Sequence, residues 1–210
     1  MHLEVGRRFL IFALAQPPAW VGTRLRVESV HEFAQHPQHR FARYPDPTLR
    51  LVAKPVTAFD SDLRVTAAAL IEIGKEVGAV GLAATQCGID AQLVVLGDSV
   101  FVNPKIVERS DEVRMVAWRE RCLVLPPDVE VETLRDVWIV VSATDLRGHP
   151  FTQAFQGELA RAMQHEIDHA RGILIVDHSA NLVHSALYPR LADLEAPFHA
   201  ERRHRAWARH

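Results

Sequence analysis

Apolar and polar positions follow a helical period in some segments of this chain and a strand period in others. Apolar side chains recur at helical spacing from Asp62 to Val77, which predicts a helix with one apolar face. The capping candidates for its first turn are Asp60, Ser61 and Asp62, and Gly78 can end it.

A second helix is predicted from Gly157 to Arg171. Gly172 follows at the position where a C-terminal cap belongs. The helical apolar spacing in this segment is supplied by Leu159, Ala162, Met163 and Ala170.

Short strands joined by turns are predicted between and around these helices. The stretch after Gly78 is rich in Gly and Ala and predicts a loop. The strongest strand pattern is Val137–Asp145, which the turn Leu146-Arg147-Gly148 directs toward a partner strand. Further extended segments are predicted at Gln92–Leu96, Val100–Val107, Val113–Trp118 and Pro150–Phe155. Together these elements predict an α+β fold with antiparallel β-sheets packed around a central helix that carries HExxH.

The chain divides into three segments by pattern. Residues 1–40 lack a clear period and end in a polar, His-rich stretch, so we expect an N-terminal extension that is partly ordered. Residues 41–185 have the pattern of one continuous domain. Residues 186–210 predict a basic helical tail, which ends in ERRHRAWARH, Glu201–His210.

Composition favours an ordinary globular protein. The chain has 210 residues, of which 48% are hydrophobic and 24% charged, and its formal net charge is −2. This balance gives no reason to expect binding to DNA. No apolar run reaches the roughly 18–20 residues of a spanning helix, so no membrane contact is expected. Arg7–Trp20 resembles a secretory signal only weakly, and we expect a cytoplasmic protein.

Two cysteines, Cys87 and Cys122, are too few for a disulfide scaffold. A single bridge between them is the alternative to two free thiols, but nothing else in the sequence argues for an oxidising compartment. We therefore expect two free thiols.

The sequence HEIDH, residues 165–169, carries the strongest chemical signal in the chain. His165 and His169 lie four positions apart, so on a helix both project from one face and can hold one metal ion. Glu166 can then act on water near that ion without being a ligand. The alternative is a solvated helix face whose histidines have no role.

A catalytic metal site of this kind needs a third protein ligand. In one class of zinc protease this ligand is a histidine six residues after the second motif histidine, but Ile175 occupies that position here. A downstream glutamate, Glu195 or Glu201, is one remaining candidate. Upstream, Cys122 is another, because a thiolate is a strong ligand for zinc or ferrous iron.

Three motifs, in order along the chain, resemble those of the peptide deformylase family. The family carries G-x-G-x-A-A-x-Q, E-G-C-L-S and Q-H-E-x-D-H. This chain has AVGLAATQ at 79–86, ERCLV at 120–124 and QHEIDH at 164–169. Similarity extends through DPTLRLVAKPV, Asn103-Pro104 and DLRGHPF, and it covers roughly residues 44–180.

The resemblance implies a deformylase-like catalytic domain over residues 41–185, with one divalent metal ion bound by Cys122, His165 and His169. Iron(II) is the physiological expectation and zinc the alternative, although this set of ligands also suits cobalt and nickel. The implied reaction is hydrolysis of the N-formyl group from formyl-methionine at the N-terminus of nascent polypeptides. The implied partner is the formyl-methionyl peptide. Some family members contact the ribosome, which makes the basic tail a candidate ribosome contact, but a solvated helix end is the favoured interpretation of this segment.

The resemblance also implies roles for individual residues. Glu166 would move the protons, while the Gln86 amide and the Leu123 backbone N–H would stabilise the oxyanion. Independently of the resemblance, Asp168 and Gln164 are candidates for orienting the metal ligands. For Asp168, a helix-surface acid in a salt bridge is an equal alternative. The expected substrate contacts are Val80, Gly81, Glu120 and Arg121.

Four positions depart from the family motifs. Ala79 and Arg121 replace glycines, Val124 replaces a serine and Ala170 replaces a leucine. Arg121 matters most, because a long cationic side chain beside Cys122 can narrow the cleft or reach for an acidic group. Two alternatives therefore stay open: a deformylase-like metal-binding paralogue with altered or lost activity, and a metalloprotease with HExxH and a downstream glutamate.

Overall fold

A computed structural model describes residues 27–35, 41–111, 113–115, 120–178 and 187–196. Its helices are α1 (Val30–Gln35), α2 (Ser61–Val77), α3 (Gly157–Ala170) and α4, over residues 187–196. Its strands are β1 (Gly81–Ala83), β2 (Leu93–Leu96), β3 (Ser99–Arg109), β4 (Val113–Met115), β5 (Leu134–Asp136), β6 (Trp138–Thr144) and β7 (Pro150–Gln156).

One antiparallel sheet forms the frame of the fold, with strands in the order β1-β2-β3-β6-β7, and β4 pairs with β5 as a separate ribbon. The register between β3 and β6 shifts after Val102. Asn103 lies at this irregularity with a φ of 53°, and its side-chain amide both accepts from the Val56 N–H and donates to the Val56 carbonyl. The α+β class with antiparallel pairing is confirmed.

The two long helices cover opposite faces of this sheet. Leu93 and Val95 of β2 pack in the core cluster that contains the apolar face of α2, whereas Val94 packs in the cluster that contains Met163 and Ile167 of α3. Side chains of a strand alternate between faces, so one short strand contributes to both layers. The other side of α3 faces the segment 120–136, where the candidate site lies.

The predicted helix α2 is confirmed almost to the residue. The Asp60 carboxylate accepts from the Leu63 N–H and caps the first turn. Gly78 ends the helix in the left-handed region, with a φ of 67°.

The predicted helix at 157–171 is confirmed as α3. Ile173 N–H donates to the Asp168 carbonyl and Gly172 N–H to the His169 carbonyl, a Schellman ending in which Gly172 has a φ of 72°. The expected apolar role of Leu159 is wrong, because its side chain is 51% exposed. It lies in the first turn of α3.

Each strand predicted in the described part of the chain is present, with its ends shifted by a few residues. The loop expected after Gly78 is wrong in part, because Gly81–Ala83 pair with β2 as an edge strand. A 3-10 turn, Ala84–Cys87, follows directly. Small side chains can occupy a strand when the pairing partner and the packing supply the stability.

Residues 27–35, assigned from the sequence to an extension, pack on the domain. Phe33 is buried in the core cluster with α2, and Glu28 pairs with Ile89 in a parallel bridge. At the other end, α4 buries Leu191 against a third cluster that contains Cys122. The signal-like stretch Arg7–Trp20 and the predicted tail Glu201–His210 lie outside the described residues. None of the described helices has the length and hydrophobicity needed to cross a bilayer.

Candidate metal centre

His165 and His169 project from α3 toward the loop that contains Cys122. The two Nε2 atoms lie 3.2 Å apart, and the Cys122 Sγ lies 3.1 Å from the His169 Nε2. All three side chains are buried, and their ligand atoms lie within 4.8 Å of one another. The fold thus brings Cys122 to two histidines that lie more than 40 positions later in the sequence.

The spacing and chemistry of these atoms fit a single metal ion. Ligand atoms at about 2.0–2.3 Å from one tetrahedral ion lie roughly 3.3–3.6 Å apart, close to the distances seen here. One thiolate and two imidazoles suit zinc or iron(II). Cys122 is a free thiol, as is Cys87, so no disulfide competes for this ligand.

Of the two downstream glutamates, only Glu195 lies in the described part of the chain, and it does not belong to the candidate metal site. The only cluster of three or more potential ligands found there is Cys122, His165 and His169. Glu195, on α4, instead accepts a hydrogen bond from the Tyr44 hydroxyl. Glu201 lies outside the described residues, so the structure gives the downstream-glutamate hypothesis no support.

The Glu120 carboxylate orients His165. It lies 3.1 Å from the His165 Nδ1 and accepts from the Arg135 Nε and Nη2 at 2.9 and 3.1 Å, as well as from the Thr133 hydroxyl. Burial by itself would raise the pKa of Glu120, but the hydrogen bonds from His165 and Arg135 hold that pKa well below its ordinary value. A carboxylate on Nδ1 leaves Nε2 for the metal.

The substrate contact expected of Glu120 is therefore not supported by its position. Its side chain is 0% exposed and engaged by three neighbours, so it cannot also meet a peptide. Its contacts instead hold His165, one of the candidate metal ligands.

Arg135 and His178 extend this network, and sequence reasoning missed both. Arg135 donates to Asp168 at 2.6 Å, and the His178 Nε2 lies 2.8 Å from the same carboxylate. Arg135 belongs to β5, where no motif spacing marks it, and only the folded ribbon brings it to Glu120. Gln164 ties α3 to β5 through both backbone groups of Asp136.

Glu166 is buried beside the three candidate ligands. Burial raises the pKa of Glu166 to about 7, although the positive charge of His165 acts to lower it. Its Oε2 atom is buried and has no protein partner in the described residues. A buried carboxylate oxygen without a partner is costly unless another molecule completes its hydrogen bonding, which fits a site that receives water or substrate.

Gly81 provides the space for Glu166. A Cβ at this position would lie 2.8 Å from the Glu166 Cγ and 3.0 Å from a methyl group of Leu96. Gly81, expected from the sequence to contact substrate, therefore also leaves the space that the Glu166 side chain occupies.

Two hydrogen-bond donors lie on the loops around the site. The Gln86 Oε1 accepts from the Ala83 N–H at 2.7 Å, which fixes the amide, and its Nε2 donates to no acceptor among the described residues. The Leu123 N–H likewise donates to no acceptor in that part of the chain. Both groups are therefore available to a ligand.

The remaining expected substrate contacts lie at the surface. Val80 is 56% exposed and directly precedes the edge strand β1. Arg121 is exposed and forms an ion pair with Glu130, across the bridge that joins Glu120 to Val131. Its charge is consequently balanced within the chain.

An α+β fold with a buried Cys-His-His cluster and an adjacent carboxylate defines the class of metal-dependent hydrolases. Residues 38–185 match the family model described as polypeptide deformylase. The chain therefore belongs to the polypeptide deformylase family.

Relatives and solved structures agree with this assignment. A peptide deformylase from Rhizobium meliloti is 40% identical over 147 residues, which cover 66% of this chain and 83% of that protein. One from Thermotoga sp. (strain RQ2) is 36% identical over 160 residues, 74% of this chain and 96% of that protein. The structure of Arabidopsis thaliana peptide deformylase 1B with an inhibitor matches with a TM-score of 0.71 at 30% identity, over 77% of this chain and 93% of that one.

Proposed function

We propose that this chain hydrolyses the N-formyl group from formyl-methionine at the N-terminus of nascent polypeptides. The observation that carries this proposal is the convergence of Cys122, His165 and His169 within the segment that matches the family. Residues 41–185 are the proposed catalytic domain, and the substrate places the reaction in the cytoplasm.

Glu166 is the proposed proton-transfer group. A divalent ion held by Cys122, His165 and His169 would polarise the formyl oxygen and lower the pKa of the attacking water. Glu166 accepts a proton from that water as it adds to the formyl carbon. It then delivers the proton to the departing amine nitrogen, so that the C–N bond breaks and formate and a free N-terminus result. A pKa raised to about 7 by burial suits a group that must both take and return a proton.

Gln86 and Leu123 are the proposed oxyanion donors. Charge develops on the formyl oxygen when water adds, and donors already aimed at that position stabilise it without reorganisation. The Gln86 Nε2 and the Leu123 N–H are the candidate donors, because neither has an acceptor among the described residues and they lie on two different loops.

Iron(II) is the proposed physiological ion, with zinc as the alternative, because a thiolate with two imidazoles accepts both. Val80 and Arg121, at the exposed rim, remain the proposed contacts for the peptide beyond the formyl group. Contact with the ribosome through the basic C-terminal tail is a further proposal, supported by the charge of residues 201–210.

The test is anaerobic assay of the iron(II)-loaded protein on a formyl-methionyl tripeptide, with the acetyl-methionyl tripeptide as control. We expect formate release from the first substrate only. Cys122→Ala should lose both metal and activity, whereas Glu166→Gln should keep one metal per chain and lose about 10²–10⁴-fold in rate. If the wild-type protein binds one ion but is no faster than free iron(II), the chain is a metal-binding paralogue and the proposal fails.

A further inference from the structure

A short segment, Ala42–Tyr44, connects the two loops that carry the proposed oxyanion donors. Ala42 N–H donates to the Gln86 carbonyl at 2.8 Å. Two residues later, Tyr44 N–H donates to the Val124 carbonyl, also at 2.8 Å. We call this segment the Ala42–Tyr44 clip. Its backbone contacts both loops directly.

Arg43, in the middle of the clip, adds a contact to Leu123 itself. Its Nη1 donates to the Leu123 carbonyl at 2.6 Å, a distance typical of a hydrogen bond from a charged donor. Leu123 belongs to a turn that is closed by a hydrogen bond from Leu125 N–H to the Cys122 carbonyl. The carbonyls of Cys122, Leu123 and Val124 are therefore all occupied.

The orientation of a turn is set when its carbonyls are held. In this turn the carbonyls are bound from within and by the clip, and the Leu123 N–H is left for a ligand. The clip is also held by α4, since the Tyr44 hydroxyl donates a hydrogen bond to the Glu195 carboxylate. The position of the Leu123 donor thus depends on residues outside all three motifs.

We propose that Arg43 is a positioning residue for the oxyanion donors, acting through the Leu123 carbonyl, and that the Ala42–Tyr44 clip sets the distance between the Gln86 and Leu123 donors. This inference rests on the proposed function. Arg43 does not touch the reacting atoms. It holds the turn so that the Leu123 N–H stays oriented toward the oxygen on which negative charge develops. A displacement of about 1 Å in such a donor can reduce the rate by up to about 10²-fold.

The test compares Arg43→Met with Arg43→Lys, which keeps a cationic donor of similar reach. Arg64→Met is the matched control, because Arg64 is also exposed and donates to a backbone carbonyl, that of Phe59, away from the site. For each variant the measurements are kcat, KM, metal content, thermal midpoint and hydrogen–deuterium exchange of residues 120–125.

In Arg43→Met we expect kcat to fall about tenfold with KM within about twofold, unchanged metal content and faster exchange at residues 122–125. Arg43→Lys should recover most of the loss, and Arg64→Met should match the wild type. A kcat within about twofold of wild type in Arg43→Met overturns the proposal. A loss that merely follows lost metal or a lowered thermal midpoint also overturns it, since that is a structural role.

Exchange separates this inference from the proposed function. If the wild-type protein shows no deformylation, the proposed function fails, and exchange alone decides whether Arg43 holds the turn. Faster exchange in Arg43→Met than in Arg64→Met then supports the contact, and equal exchange refutes it.

Discussion

Three buried side chains share the Glu120 carboxylate: His165, Arg135 and Thr133. The contact with Nδ1 fixes the tautomer of a metal ligand, and the contact with Arg135 neutralises a guanidinium that is 4% exposed. A charge at that depth is costly when its partner is removed. At the scale of residues, Glu120 therefore couples metal affinity to stability.

Glu120→Gln removes the charge with little change of shape. We expect the metal-free protein to lose about 3 kcal/mol of unfolding free energy, because Asp168 alone then balances Arg135. Metal affinity should fall about 10–100-fold. Urea denaturation and competition with a chelating dye measure the two effects.

The matched control is Arg109→Gln. Arg109 pairs with Asp136 but is 54% exposed, so this change should cost less than about 1 kcal/mol. An equal loss of unfolding free energy in the two variants would show that the buried Glu120–Arg135 pair contributes no more to stability than an exposed pair.

Gly81→Ala tests the packing under Glu166. The added Cβ would lie 2.8 Å from the Glu166 Cγ, so the carboxylate must shift. We expect metal content to stay at the wild-type level and the rate on the formyl-methionyl tripeptide to fall about 10²-fold. Wild-type turnover in this variant would mean that the position of Glu166 is not critical.

At the scale of elements, α3 is held at its end by a glycine and along its length by side chains. Gly172 has a φ of 72°, and a Cβ there would lie 2.7 Å from the Arg50 carbonyl oxygen. Gln164 and Asp168 anchor the helix to β5. Because His165 and His169 lie on this helix, its C-terminal turn affects the positions of both candidate metal ligands.

Gly172→Ala and Gly74→Ala should change stability in opposite directions. Gly172→Ala meets both a backbone clash and a left-handed φ, so we expect a loss of more than about 1 kcal/mol. Gly74 lies inside α2 with no atom within 4 Å of the added Cβ, so alanine should stabilise the protein by about 0.5–1 kcal/mol. Thermal denaturation of the metal-free proteins measures both changes in stability. A change in the same direction for the two variants would contradict this prediction.

At the scale of the whole molecule, the metal ligands join two parts of the fold. Cys122 lies in the cluster that also contains Val131 and Leu191 of α4, whereas His165 and His169 lie on α3, which packs on the sheet. An ion bound to all three is a crosslink that exists only in the folded state. Binding must therefore add to stability.

Chelation should lower the thermal midpoint of the wild-type protein. An ion at about 100 times its Kd contributes about 2.7 kcal/mol, which corresponds to roughly 5–10 °C for a chain of this size. Differential scanning calorimetry with and without EDTA measures the shift. Cys122→Ala should show no shift, and an equal shift in that variant would mean that the ion is held elsewhere.

Local sequence patterns were sufficient for the two long helices, most strands and the motif residues. The limits of α2 follow from Asp60 and Gly78, because capping depends on neighbours a few positions away. Cys122, His165 and His169 were identified through motif resemblance, and the structure places them together. These features depend on short spacings that can be read directly from the chain.

Contacts between distant segments were not predictable in this way. Nothing in the sequence indicated that Arg135 meets Glu120, that Tyr44 engages Glu195, or that Arg43 reaches Leu123. Nor did the sequence alone show that Phe33 is buried or that Leu159 is exposed. Periodicity specifies which face of an element is apolar, but the burial of a charge and the partner of a carbonyl depend on how elements from distant parts of the chain pack together.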